Sequence, residues 1–140
     1  MRILLLAMPD TADYIDGVIR IPNLALASLA GNLPGHDVRI LDLVAYKPHL
    51  RRIIAETFLS FRPQAVGLSA MSFQFDTLLR VARYLRSLDA GIPLIAGGYH
   101  TTLMASDDTA ARWAEVLDFL VRGEGEATFR ELAAALEEGR

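Results

Sequence analysis

The sequence predicts a single α/β domain in three layers, with helices packed on both faces of a five-stranded parallel sheet. Three observations carry that prediction. Short apolar runs alternate five times with segments of helical spacing, and parallel strands joined through right-handed helical crossovers bring those helices onto the sheet faces. The apolar runs are continuous rather than alternating, as expected of strands covered on both sides. At 140 residues the chain is long enough for one substantial core and too short for two ordinary domains.

Ile3 to Met8 is the first strand. The loop from Pro9 to Ile21, carrying Asp10, Thr11, Asp13, Tyr14 and Asp16, is long for a strand-to-helix connection, and loops of that length are often functional. Pro22 suits the first turn of a helix, whose apolar face is Leu26, Leu29, Ala30 and Leu33 until Pro34-Gly35 ends it. Val38 to Leu43 is the second strand. Leu50, Ile53, Ile54, Thr57, Phe58 and Phe61 then recur at helical spacing up to Pro63.

Ala65 to Met71 forms the third strand, and Leu78, Val81, Ala82, Leu85 and Leu88 mark the third helix, which Gly91 ends. Ile92 to Ala96 is the fourth strand. A weaker helix containing Trp113 follows, with Asp107 or Asp108 as its cap. Val116 to Val121 is the fifth strand, and Phe129, Leu132, Ala133 and Leu136 line a last helix up to Gly139. Five such units most often take the flavodoxin-like order 2-1-3-4-5, a Rossmann-like αβα sandwich. No repeat, low-complexity segment or linker interrupts it, so residues 1–140 read as one domain, complete at Arg140.

An apolar fraction of 52%, a charged fraction of 22% and a net charge of −3 describe a folded chain with no basic stripe for nucleic acid. Without cysteine the chain has no disulfide, thiolate zinc site or iron–sulfur cluster of its own, which fits a cytoplasmic protein. No segment approaches the roughly 18 apolar residues of a membrane helix. The apolar run after Arg2 ends at Pro9-Asp10 without a cleavage site, so it is a strand rather than a signal peptide.

In this topology ligands sit beyond the carboxyl ends of strands one and three, so the loops at Pro9, Ser72, Gly97 and Arg122 share one rim. Most pointed is Ile92 to His100, an apolar run that stops in Gly97-Gly98 before Tyr99 and His100. Paired glycines let backbone turn sharply and approach a ligand with no Cβ between, though glycine at a strand end often serves only a turn. Ser69 and Ser72 either hold a ligand's phosphate or hydroxyl groups near a helix start or cap the third helix.

His100 suits a metal or base role, but with no acidic or cysteine partner nearby in sequence it reads rather as a hydrogen-bond donor, and Tyr99 as packing or a ligand wall. Glu124 and Glu126, in Arg122-Gly123-Glu124-Gly125-Glu126, act on a ligand or stabilise a helix dipole. Trp113 is more naturally core than site, and His36 and His49 are ordinary turn and helix-start residues. A receiver domain's acidic residues and lysine are missing at the matching strand ends. So is Gly-x-Gly-x-x-Gly after strand one, and no nucleophile–base pair or metal-ligand spacing stands out.

Ser69-Ala70-Met71 followed by Gly97-Gly98 resembles the Ser-x-Leu and Gly-Gly signature of cobalamin-binding domains. Pro22 to Ala30, Gly35 to Asp42, Val66 to Met71, Ala96 to His100 and Val121 to Glu126 together resemble the amino-terminal domain of cobalamin-dependent radical S-adenosylmethionine enzymes. Met71 stands where that signature has leucine. The resemblance covers nearly the whole chain and implies a cofactor-carrying module, with methyl transfer or ring-forming chemistry done by a carboxyl-terminal domain in cis. That domain would hold the iron–sulfur cluster and S-adenosylmethionine, and this chain alone would catalyse nothing.

Cobalamin domains of the mutase type carry Asp-x-His-x-x-Gly after strand one. Here Asp10 matches the Asp, while Ala12 and Ile15 fall at the His and Gly positions. The implied cofactor state is base-off with no protein histidine under the cobalt, as in the radical enzymes. By the same resemblance Gly97 and Gly98 open a slot for the dimethylbenzimidazole tail, whose burial over roughly 150 Å² contributes about 4 kcal/mol. Ser69, Ser72 and nearby amides hold ribose and phosphate, Tyr99, His100, Gly123, Glu124 and Gly125 border the corrin, and Asp10, Met71 and Phe73 complete the cofactor-binding set. On this reading Gly98→Val removes binding and spares the fold. The alternative is a flavodoxin-like module for a flavin, a nucleotide or a protein partner, against which the missing phosphate loop weighs.

Overall fold

The computed structural model describes residues 1–10, 23–103 and 112–139. Five parallel strands, β1 (Arg2–Ala7), β2 (Asp37–Asp42), β3 (Ala65–Ser69), β4 (Leu94–Gly97) and β5 (Phe119–Leu120), lie in the order β2-β1-β3-β4-β5. The helices are α1 (Leu24–Gly31), α2 (Leu50–Phe61), α3 (Phe75–Leu88), α4 (Tyr99–Leu103) and α5 (Gly125–Glu137). This is the predicted flavodoxin-like sandwich.

Side chains alternate across the sheet and build two cores. Leu4, Leu6, Val66, Leu68 and Leu94 face α2 and α3, meeting Ile54, Phe58, Leu78 and Leu85. Ile3, Leu5, Ala65 and Ile95 face α1 and α5, meeting Leu26, Phe129 and Ala133. The continuous apolar runs of β1 and β3 are thus buried from both sides, the condition that a fully covered parallel strand requires.

The departures from expectation have local causes. Ladder pairing in β5 is confined to Phe119 and Leu120, because the amides of Val116 and Leu117 both donate to the Trp113 carbonyl and hold that stretch in a turn. In β3 the ladder stops at Ser69, since the amide of Met71 donates to Gln74 Oε1 at 2.8 Å. Helix α1 is capped by Asn23, whose side chain accepts from the amide of Leu26 at 3.0 Å; Pro22 lies outside the described residues. A 3₁₀ segment, Leu43–His49, precedes α2. Of the predicted Trp113 helix only a turn over 112–114 is described, and Asp107 and Asp108 lie outside the described residues. Among those residues no helix is long and apolar enough to cross a membrane.

Arg86 fastens the pole opposite the strands' carboxyl ends. Its guanidinium donates to the carbonyls of Ile92 (2.6 Å), Ala90 (3.1 Å) and Val116 (3.2 Å) and pairs with Asp118 at 2.6 Å. Asp118 also accepts from the amide of Leu94. One side chain thereby ties the end of α3 to the segments entering β4 and β5. Replacing it strands several acceptors and a carboxylate, so Arg86→Met is expected to lower unfolding free energy by about 2–3 kcal/mol in urea titration, with native circular dichroism retained below the transition.

Candidate functional site

The chain leaves β1 for β2 on one side and then crosses to β3 on the other, so a crevice opens at the carboxyl pole between β1 and β3. Register decides its shape. On the face covered by α1 and α5, Leu5, Gly67 and Ile95 lie in one row, and Ala7, Ser69 and Gly97 in the next. A Cβ on Gly67 would stand 2.7 Å from Leu5 Cδ2 and 3.2 Å from the Phe129 ring, so that place is filled by the packing of α5. A Cβ on Gly97 would meet nothing nearer than Val121 O at 3.7 Å.

The space left there is a cleft that opens to solvent at its mouth. Its buried lining is apolar: Leu5, Leu26, Ile95, Val121 and Phe129. Glu124, exposed, and Glu126, half-buried, also line it. Ser28 Oγ donates to Glu126 Oε1 at 2.6 Å, joining α1 to α5 across the cleft. That hydrogen bond, with one from the Glu126 amide itself, holds the Glu126 carboxyl below its ordinary pKa against a smaller opposing effect of burial. Glu126 is therefore ionised at neutral pH.

Seven of the residues singled out in the sequence line this cleft: Ser69, Gly97, Gly98, Gly123, Glu124, Gly125 and Glu126. The other six do not. Met71 and Phe73 are exposed at the turn after β3, where Ser72 opens the 3₁₀ segment Ser72–Gln74, and Tyr99 is exposed at the start of α4. Asp10 follows β1; its carbonyl accepts from Gln74 Nε2 at 2.5 Å, and its buried Oδ2 has no hydrogen-bond partner among the described residues. Gln74 is buried and also reaches the Met8 carbonyl, which ties the loop after β1 to the turn after β3.

His100 lies within the opposite layer, 5% exposed, its ring 4.3 Å from Phe75 and stacked on Trp113 at 5.4 Å between centroids. Neither ring nitrogen has a hydrogen-bond partner among the described residues. Burial lowers its pKa, opposed more weakly by Asp76, which itself pairs with Arg112.

Gly98 departs from the open-slot expectation. Its φ is +98°, and a Cβ there would stand 2.8 Å from the carbonyl oxygen and 3.1 Å from the amide nitrogen of Ala70. The position is closed by backbone, so only Gly97 of the pair leaves room beside it. The expectation that Gly98→Val spares the fold is accordingly corrected.

Residues that sequence reasoning did not place in the site include Gly67 and Leu29. A glycine in the middle of an apolar strand signals a close approach and would have indicated Gly67. Leu29 carries no such signal, because lining a cleft and filling a core require the same residue type.

The family model described as "B12 binding domain" matches residues 19–133. The chain belongs to that family. Cobalamin is therefore the cofactor of this B12-binding domain, and its residues fit the group: a side-chain-free place at Gly97 above an apolar floor suits a flat heterocycle. The flavin or nucleotide alternative has no support here.

Among similar proteins, an uncharacterized methyltransferase of Pyrococcus horikoshii is 34% identical over 98% of this chain and 30% of its own length. The anaerobic magnesium-protoporphyrin IX monomethyl ester cyclase of Synechocystis is 35% identical over 98% of this chain and 28% of its own. The radical S-adenosylmethionine methyltransferase TsrM of Kitasatospora setae, solved with cobalamin and a [4Fe-4S] cluster bound, superposes with a TM-score of 0.82 at 25% identity, over 99% of this chain and 25% of that one. The chain thus spans under a third of these relatives.

The two glycines are expected to part under substitution. Gly98→Ala forces a side chain into a left-handed conformation and against the Ala70 backbone, a loss of roughly 1–3 kcal/mol in thermal or urea unfolding, whereas Gly97→Leu should unfold near the wild-type midpoint. The B12-binding domain also carries a pH signature at His100. With a folded pKa below the ordinary 6.5, the stability due to its neutral form is full above that value and declines as pH falls below it, where the unfolded chain protonates first. His100→Phe should flatten the fall in unfolding free energy that wild type shows as pH drops below 6.5.

Proposed function

We propose that this B12-binding domain is the cofactor-carrying module of a cobalamin-dependent radical S-adenosylmethionine enzyme, with residues 1–140 as one such domain. The observation that carries the reading is the cleft at Gly97, at the carboxyl pole, floored by Leu26, Ile95 and Phe129. Relatives support the enzyme class by what they are named, a methyltransferase, a cyclase and a radical S-adenosylmethionine methyltransferase, each more than three times the length matched. A [4Fe-4S] cluster held by three cysteines has no ligands here, because the chain has no cysteine. The radical-generating part therefore belongs to a carboxyl-terminal domain or a partner, and a cytoplasmic location follows for an oxygen-sensitive cluster.

Bound cobalamin supplies a redox-active cobalt centre able to accept and hand on a one-carbon group. The tasks left to this chain are to bind, orient and desolvate it. The apolar floor takes a flat tail base displaced from cobalt, which is the base-off state. Burial of roughly 150 Å² of that ring contributes about 4 kcal/mol. Ser69, half-buried at the carboxyl end of β3, offers a hydroxyl to the tail.

The distribution of histidines supports a lower face of cobalt without protein imidazole. His36 contacts the Met1 amino group, 3.2 Å away, and the Glu137 carboxylate at the amino pole of the sheet. His49 is exposed where the chain enters α2, and His100 is enclosed by Phe75 and Trp113. None of the three lines the cleft.

Incubation with hydroxocobalamin followed by desalting should leave a corrin absorbance on the protein, with the spectral position of the base-off form. Gly97→Leu, folded by circular dichroism, should retain at least tenfold less. Absence of retention by folded wild type sinks the proposal; a retained base-on spectrum sinks the tail-insertion part of it.

A further inference from the structure

We infer that the cleft selects the base ending the cofactor's nucleotide tail, accepting an apolar benzimidazole in preference to a purine. The inference rests on the cobalamin reading above and extends it to which cobamide the domain takes. The decisive observation is the apolar character of the buried lining among the described residues. Leu5, Leu26, Ile95 and Phe129 are each 4% exposed or less, and Val121 is 5% exposed. All five line the cleft.

Among the described residues the polar side chains of the lining are Ser69, Glu124 and Glu126. Ser69 is half-buried, Glu124 is exposed, and Glu126 accepts from Ser28 at 2.6 Å. The strand backbone beneath is also paired. Strands β1, β3 and β4 pair with one another, the Gly97 carbonyl accepts from the Ala70 amide at 3.2 Å, and the Ala96 carbonyl from the Val121 amide at 2.8 Å.

An adenine tail brings ring nitrogens that require donors and an amine that requires acceptors. A dimethylbenzimidazole tail has methyl groups at the corresponding edge. Every purine group buried here without a partner weakens binding by roughly tenfold, while each methyl against leucine or phenylalanine strengthens it by about fourfold. The two bases are close in size, so polarity rather than fit separates them, the asymmetry seen wherever a site must leave polar groups unpaired. Leu29, half-buried on α1 and within reach of the position a Gly125 Cβ would take, is the wall residue at which an amide would alter that balance with the least disturbance of the core.

The experiment is calorimetric titration of the folded domain with two cobamides, one ending in 5,6-dimethylbenzimidazole and one in adenine. Each apparent Kd is corrected by the base-off fraction of the free cobamide, read from its absorbance at the same pH. The corrected affinity for the benzimidazole form should be at least tenfold the higher, and Leu29→Gln should shrink the ratio severalfold while circular dichroism stays native. Equal affinities, or a preference for adenine, overturn the inference and leave the cofactor-module reading standing. A ratio unmoved in Leu29→Gln overturns the assignment of selectivity to this cleft. Failure of both cobamides to bind overturns the parent reading, and the preference with it.

Discussion

The structure depends on the register of three parallel strands, which sets Gly67 and Gly97 on one face, one pleat apart on neighbouring strands. Because side chains point to alternate faces with a period of two, a slip of one residue in β4 would send Gly97 into the α2–α3 core and turn Ala96 toward the cleft. Register is in turn fixed by burial: Leu94 and Ala96 on one face and Ile95 on the other are each 1% exposed or less, so no alternative pairing keeps all three covered. The cleft is thus a consequence of a ladder that the two cores already enforce.

The two glycines in those rows do opposite things. At Gly67 the missing side chain lets Phe129 come down onto the sheet, which seats α5 and closes that face. At Gly97, one pleat nearer the carboxyl pole, a Cβ would meet nothing nearer than Val121 at 3.7 Å, and the cleft lies beside it. Ser28 and Glu126 join α1 to α5 at that level. The bond lies between partly exposed groups, so its net contribution to stability is small; its evident effect is to keep the two walls at a fixed separation.

Much of this was legible in the sequence. The five strands and their order follow from apolar runs alternating with helical spacing, and α2 runs from Leu50 to Phe61 as its periodicity indicates. The ends of elements were less legible, because they are decided by tertiary hydrogen bonds: Met71 leaves β3 for the side chain of Gln74, and Val116 and Leu117 are held back from β5 by Trp113. In the site, glycine and serine positions at strand ends were readable from turn chemistry. The apolar walls were not, since Leu26, Leu29 and Phe129 satisfy the same helical pattern whether they pack on the sheet or stand over a gap. His100 illustrates the converse. Its place beside Gly97-Gly98-Tyr99 suggests the rim, yet the turn at Gly98 reverses the chain and sends the imidazole into the other layer, against Phe75 and Trp113.

That reversal explains why the paired glycines occur together. Gly98 must pass the Ala70 backbone at a distance no Cβ tolerates, and the contact is sealed by hydrogen bonds from the Ala70 amide to the Gly97 carbonyl and from the His100 amide to the Ala70 carbonyl. The turn so fixed leaves Gly97 facing the cleft and commits His100 to the opposite core, where burial favours its neutral form. One glycine shapes the backbone and the other leaves space, and the first is what holds the second in position. A chain carrying only Gly97 would have the room but not the turn that presents it, and one carrying only Gly98 would make the turn around a blocked cleft. The pair is therefore a single device in which conformational freedom at one residue gives function to the absence of a side chain at the next.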